Sequence, residues 1–207
     1  MPREPLPQIL LVRHGETTWS ASGRHTSSTD VPLTERGEDA ARFLGVQLVR
    51  WDYDLVLSSP LLRARRTCDL AGFGALAEDD PDLVEFQYGD YEGLTTAEIR
   101  RERPDWEIFR DGCPGGESVE EVSARADRVI GRLRAAAGDV LVFSHAHFLR
   151  CLAVRWVGLD GSAARLLTLE TASVGILGYN HGLDEPVLRL WNDADFRVAP
   201  QPDVCAP

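Results

Sequence analysis

The chain has 207 residues, 43% hydrophobic and 27% charged, the size and balance of one globular domain. Its 33 acidic and 22 basic residues give a net charge of −11, and every basic residue is arginine. Without lysine it cannot form a Schiff base or supply the lysine of a P-loop or protein kinase, and its acidity argues against a nucleic-acid partner. No apolar run approaches the roughly 20 residues of a membrane span, so a cytoplasmic location without a membrane partner is expected.

Residues 1–8 are polar and Pro-rich and read as a loose tail. Residues 9–12 are a continuous apolar run, as in a strand buried on both faces. Residues 15–33 lack helical periodicity and read as a long loop, a feature that is often functional. Thr34 caps a helix to about Arg50, with Ala40, Ala41, Leu44 and Leu48 on one face. Residues 54–57 form a second buried strand, and Pro60 suits the first turn of a helix that Gly72 ends. Residues 73–94 are irregular. Thr95 and Glu98 form a capping box for a short helix stopped by Pro104, and 111–116 is a turn-rich connector. Ser118 and Glu121 open the clearest helix, with a stripe of Val119, Val122, Ala126, Val129, Ile130, Leu133 and Ala137 and a stop at Gly138. Residues 140–143 are a third buried strand, followed by a helix to about Val157. Residues 173–179 and 187–191 are two more strands joined as a hairpin, and the tail from Asp193 is polar. The cysteines at 68, 113, 151 and 205 include no C-x-x-C pair and read as free thiols.

Strands alternating with helices imply an α/β fold with a mainly parallel sheet, helices on both faces and an antiparallel edge. Ligands of such sheets bind beyond the carboxyl ends of the strands. The first strand is followed by Arg13-His14-Gly15-Glu16, the second by Ser58-Ser59-Pro60 and then Arg63, the third by Ser144-His145-Ala146-His147. Two arginines and two histidines at one sheet edge make an oxyanion pocket, because the guanidinium fork matches phosphate. A histidine among arginines is discouraged from protonating, and neutral imidazole attacks phosphorus. A second histidine stabilises the equatorial oxygens, and a carboxylic acid would protonate a leaving alkoxide. His145-x-His147 also has spacing used by zinc, but no third ligand is evident, so His147 is read as structural or as support for its neighbours. His25 is a loop histidine, read either as a substrate contact or as simply exposed.

Four blocks carry a resemblance. Leu11-Val12-Arg13-His14-Gly15-Glu16-Thr17-Thr18-Trp19 resembles the signature of the histidine phosphatase superfamily, also called phosphoglycerate mutase-like. Ser58-Ser59-Pro60-Leu61-Leu62-Arg63 resembles the block supplying the second arginine. Leu83-Val84-Glu85-Phe86-Gln87-Tyr88-Gly89 resembles the block holding the acid, and Ser144-His145-Ala146-His147 the block with the second histidine. The resemblance implies a three-layer α/β sandwich and a single histidine phosphatase domain over 1–207, with loose ends at about 1–8 and 193–207. It implies metal-independent phosphoryl transfer through phosphohistidine with no cofactor. His14 would be the nucleophile, Arg13, Arg63 and His145 the clamp, and Glu85 the acid. Ser20 stands where many relatives have Asn, and Thr26 where the family often places a phosphate-contacting hydroxyl. The lysine-bearing segment of mutases is missing, which favours a phosphatase over a mutase. A non-catalytic module binding phosphorylated ligands is a third reading. A finer similarity to the sedoheptulose-1,7-bisphosphatase branch and related bacterial acid phosphatases implies a sugar phosphate, with Tyr88 and Arg150 as substrate contacts. The expected partner is a small phosphate ester, and a homodimer is compatible with the sequence.

Overall fold

The computed structural model describes residues 6–196. Six strands form one sheet, β1 (Ile9–Arg13), β2 (Tyr53–Ser58), β3 (Glu78–Asp79), β4 (Asp139–Ser144), β5 (Val174–Tyr179) and β6 (Pro186–Asp193), in the order β3-β2-β4-β1-β5-β6. β3, β2, β4 and β1 pair in parallel, and β5 and β6 complete an antiparallel edge. This is the mixed sheet anticipated from the alternation of elements.

Each central strand buries both faces. Ile9, Leu11, Val140 and Val142 point to one side, and Leu10, Val12, Leu141 and Phe143 to the other. The first side packs on α6 (Val119–Ala135) and α7 (Ala146–Trp156) through Val122, Val129, Leu149 and Leu152. The second packs on α2 (Glu35–Leu48) and α3 (Leu62–Leu70) through Leu44, Leu48 and Cys68. Burial of continuous Leu, Val and Ile runs on both faces supplies the main driving force for the three layers.

Local signals explain most boundaries. Thr34 accepts from Gly37 N at 3.1 Å and starts α2. Thr95 with Glu98 starts α4 (Thr96–Glu102), and Ser118 with Glu121 starts α6, both as reciprocal capping boxes. Several expectations need correction. The 15–33 segment contains a short helix, α1 (Thr18–Ala21), capped by Thr17. The connector expected at 111–116 is preceded by α5 (Ile108–Asp111), which ends inside it. α3 begins at Leu62, so Pro60 precedes its first turn. α6 ends at Ala135 because Ala136 turns extended, with φ −68° and ψ 143°, leaving Ala137 and Gly138 outside it. At the ends, Gln8 N donates to Asp139 at 2.8 Å and the Phe196 ring is buried beside Val174 and Ile176. Residues 1–5 and 197–207, including Cys205, lie outside the described residues.

Candidate active site

The parallel strands β1, β2 and β4 deliver Arg13, Ser58 and Ser144 to the same sheet edge, with Arg13 and Ser144 in direct register. His14 leaves β1 with its N–H donating to Ser144 O at 3.0 Å, while its carbonyl accepts from Ala172 N at 3.1 Å. Ala172 takes φ +54°, a left-handed conformation uncommon for a residue with a Cβ, held where the 170–173 turn meets His14.

The ring of His14 is fixed by its neighbour. Nδ1 lies 2.8 Å from Gly15 O, and a carbonyl can only accept, so Nδ1 carries the proton and Nε2 keeps its lone pair. Burial pushes this imidazole well below its ordinary pKa, and Arg13 and Arg63 push it the same way. The loop is pressed against the start of α2: a Cβ on Gly15 would lie 2.5 Å from Gly37 O, and one on Gly37 would lie 2.2 Å from Glu16 O. Thr67 of α3 accepts from Gly15 N at 2.9 Å and donates to Arg63 O at 2.7 Å, joining the His14 turn to the second arginine.

Arg63 is 1% exposed. It donates to the carbonyls of Thr29 at 3.2 Å and of Thr26 and Ser27 at 3.0 Å. That carbonyl cradle is held in turn by Glu92, which accepts from Ser27 N and Thr29 N at 2.8 and 3.1 Å. Arg13 donates to Leu169 O. Burial is the main influence lowering both guanidinium pKa values, and Glu85 opposes it most. The Nε atoms of Arg13 and Arg63 and Nδ1 of His145 are buried without a protein partner. Such orphaned donors are costly unless a ligand satisfies them, and these three flank His14 in the fold.

His145 is the N-cap residue of α7, its ring centroid 5.1 Å from that of His14. Its Nε2 lies 2.8 Å from the Ser59 hydroxyl, which also accepts from Leu61 N. Burial and Arg63 hold its pKa well below the ordinary value, so the ring is neutral. In the tautomer where Ser59 donates to Nε2, Nδ1–H is left as a donor. Glu85 is 4% exposed and completes the start of α7. Its Oε1 accepts from Phe86 N and Phe148 N at 2.9 Å, and its Oε2 from His147 N at 3.2 Å. Thus the carboxyl satisfies first-turn N–H groups that His145 leaves uncapped.

A cleft of about 270 Å³ opens over these groups, lined by Arg13, His14 and Glu85 at its floor. Ser20, Thr26, Tyr88 and Arg150, the residues expected as substrate contacts, also line it. The Ser20 hydroxyl is already engaged, accepting from Thr17 N at 2.9 Å and donating to Thr17 O at 3.0 Å, and Thr26 donates to Arg24 O at 3.2 Å. Arg63 and His145, both buried, are not among its lining residues. Tyr88 OH lies 2.6 Å from His147 Nδ1, and His25 packs 4.7 Å from the Tyr88 ring. Arg150 stacks 4.7 Å over Phe109 and donates to Ala164 O. Burial lowers the pKa of His25 to about 4 and that of His147 well below normal, so this wall is neutral. His147 contacts Tyr88 through its ring and Glu85 through its backbone N–H. His25, named from the sequence as a loop histidine, is also in the lining, and Arg24, Thr168 and Glu170 are lining residues that no sequence signal singled out. Cys113 is buried with its thiol pushed up to about 12, so it is not activated.

Fold and site together define an α/β protein whose sheet edge carries a histidine-centred anion pocket. The chain belongs to the histidine phosphatase superfamily (branch 1), whose model matches residues 9–194. It is 43% identical over 180 residues to an acid phosphatase of Mycobacterium tuberculosis, covering 85% of this chain and 88% of that protein. It is 33% identical over 251 residues to the sedoheptulose 1,7-bisphosphatase of Saccharomyces cerevisiae, covering 89% and 92%. A solved structure of an open reading frame product from M. tuberculosis superposes with a TM-score of 0.85 at 41% identity, covering 90% of this chain and 97% of that one. No helix among the described residues is long and apolar enough to cross a membrane.

Proposed function

We propose that this chain is a phosphatase that hydrolyses a sugar phosphate through a phosphohistidine on His14. The observation that carries the reading is a neutral His14 whose Nδ1 is engaged and whose Nε2 is bare, beside Arg13 and Arg63, whose Nε atoms are buried and unpartnered. Nε2 attacks phosphorus as the bond from phosphorus to the leaving oxygen breaks. Arg13, Arg63 and the Nδ1–H of His145 balance charge on the equatorial oxygens. Glu85 passes its proton to the leaving oxygen, and the alcohol departs. Oε2 is the oxygen suited to this, having one N–H bond where Oε1 has two. Water then attacks the phosphohistidine, its proton returns to Glu85, the P–N bond breaks and inorganic phosphate leaves.

A small ester suits the cleft, whose volume lies below the range typical for drug-sized ligands. The neutral wall of Tyr88, His25 and His147 suits hydroxyl groups, and the similarity to acid and sedoheptulose bisphosphatases supports a sugar phosphate. We read residues 1–207 as a single domain of this kind. The test is phosphate release across sedoheptulose 1,7-bisphosphate, fructose 1,6-bisphosphate, 3-phosphoglycerate and p-nitrophenyl phosphate with EDTA present. Turnover lost in His14→Ala supports the reading. Isomerised product with a bisphosphate primer, in place of phosphate release, would move it to a mutase, and binding without turnover to a non-catalytic module.

A further inference from the structure

We propose that Arg125, paired with Glu117, is the positioning residue that sets the carboxyl of Glu85 for proton delivery; the proposal rests on the acid role given to Glu85 above. Arg125 lies outside the cleft lining. It occupies the buried stripe of α6, among Val122, Ala126 and Val129, at 6% exposure. A guanidinium there is costly unless its donors are met and its charge is paired. Nη1 donates to the carbonyls of Asp82 at 2.8 Å and Val84 at 2.6 Å. Nη2 donates to Glu85 O at 3.2 Å and to Glu117 Oε2 at 2.7 Å, and Nε donates to Glu117 Oε1 at 2.9 Å.

Glu117 extends the grip past the acid. Its Oε2 accepts from Gln87 N at 2.9 Å, and its own N–H donates to Gln87 O at 2.9 Å. The pair therefore holds the main chain on both sides of Glu85. This segment has no strand ladder of its own, only short 3₁₀ turns at Pro81–Leu83 and Gly89–Tyr91. The Arg125 guanidinium also lies 4.5 Å over the ring of Phe148, whose N–H donates to Glu85 Oε1. One buried arginine thus braces both the loop that carries the acid and the helix start that orients its carboxyl. Every partner except Glu117 is a backbone carbonyl or a ring, so the arrangement fixes position rather than binding a ligand.

The test uses two esters that differ in their need for an acid. p-Nitrophenyl phosphate releases a phenolate that leaves without a proton, whereas the alkoxide of fructose 1,6-bisphosphate needs one. Glu85→Gln should lower kcat/KM for the alkyl ester relative to the aryl ester by about 100-fold. Arg125→Lys, which keeps the charge, and Glu117→Gln, which keeps the shape, should each show the same selective loss at about 10-fold, as expected for a shifted catalytic group. Melting curves set the assay temperature so that each variant is folded. Adding either change to Glu85→Gln should produce no further selective loss. Equal loss on both esters, or none, in Arg125→Lys and Glu117→Gln while Glu85→Gln remains selective overturns the positioning role alone. A Glu85→Gln enzyme without selectivity overturns the acid role, and the positioning role with it.

Discussion

Gly37→Ala is a substitution for which helix propensity and tertiary packing give opposite signs. Gly37 occupies the first turn of α2, and propensity alone favours Ala over Gly by about 1 kcal/mol. The structure reverses this. The new Cβ would lie 2.2 Å from Glu16 O and 2.7 Å from Glu16 N, against 3.4–4 Å for ordinary contact. The obstacle is backbone, and Glu16 O is itself held by Thr34 N at 2.8 Å, so it cannot rotate away. Relief requires α2 and the His14–Glu16 turn to separate by about 1 Å, and overpacking of this kind costs about 1–3 kcal/mol. Against the propensity gain the net loss is up to about 2 kcal/mol, which lowers Tm by up to several degrees in a chain of this size. The turn carries His14, the proposed nucleophile, and a misplacement near 1 Å costs about 100-fold in rate. Thermal melting and phosphate release on the purified variant read both effects. A Gly37→Ala protein that melts higher than the parent and retains full activity would refute the packing argument.

Thr67→Val removes the acceptor for the buried Gly15 N–H while keeping the shape of the side chain. It should lose about 1–3 kcal/mol in urea unfolding, the cost of an unsatisfied buried donor. Because burial and two arginines hold His14 well below the usual 6.5, kcat/KM should stay flat as pH falls through 6.5, with its acid limb well below that value. A limb centred near 6.5 would mean that His14 is not shielded. Stability should follow His25 over a related range. Its pKa is about 4 when folded against 6.5 unfolded, so the unfolded chain binds more protons between these values. Stability is fully present above 6.5 and is lost as pH falls toward about 4, by about 3 kcal/mol from this group. A His25→Asn protein should lose less over that interval, as measured by urea unfolding at each pH.

The parts of the site that were legible in the sequence are those set by strand ends. Arg13, His14 and His145 follow continuous apolar runs, and Arg63 sits in the turn of helix after another, so periodicity and chain order brought them together. Glu85 was legible only through its block, since it follows no strand that sequence patterning marks, and β3 ahead of it is two residues long. The groups that hold these residues in place were not legible. Thr67, Glu92 and Arg125 make hydrogen bonds to backbone atoms 40 or more positions away, and a main-chain partner leaves no mark on residue type. Arg125 interrupts the apolar stripe of α6, which was the one local sign of it. Ser20, expected to reach a ligand, lines the cleft and also closes the capping box of α1 with Thr17 through a Thr-x-x-Ser spacing. The α1 and α5 helices were missed because a single turn is too short for a 3.6-residue pattern to develop.

Passage of a phosphoryl group through His14 is the step on which the proposed chemistry depends. Mixing enzyme with excess sugar bisphosphate, quenching within milliseconds into alkali and measuring the mass of the proteolysed chain tests it directly. The peptide that contains His14 should gain one phosphoryl group, formed faster than steady-state phosphate release and missing from His14→Asn. A fully active enzyme that never carries phosphate on that peptide, or that carries it elsewhere, would contradict it.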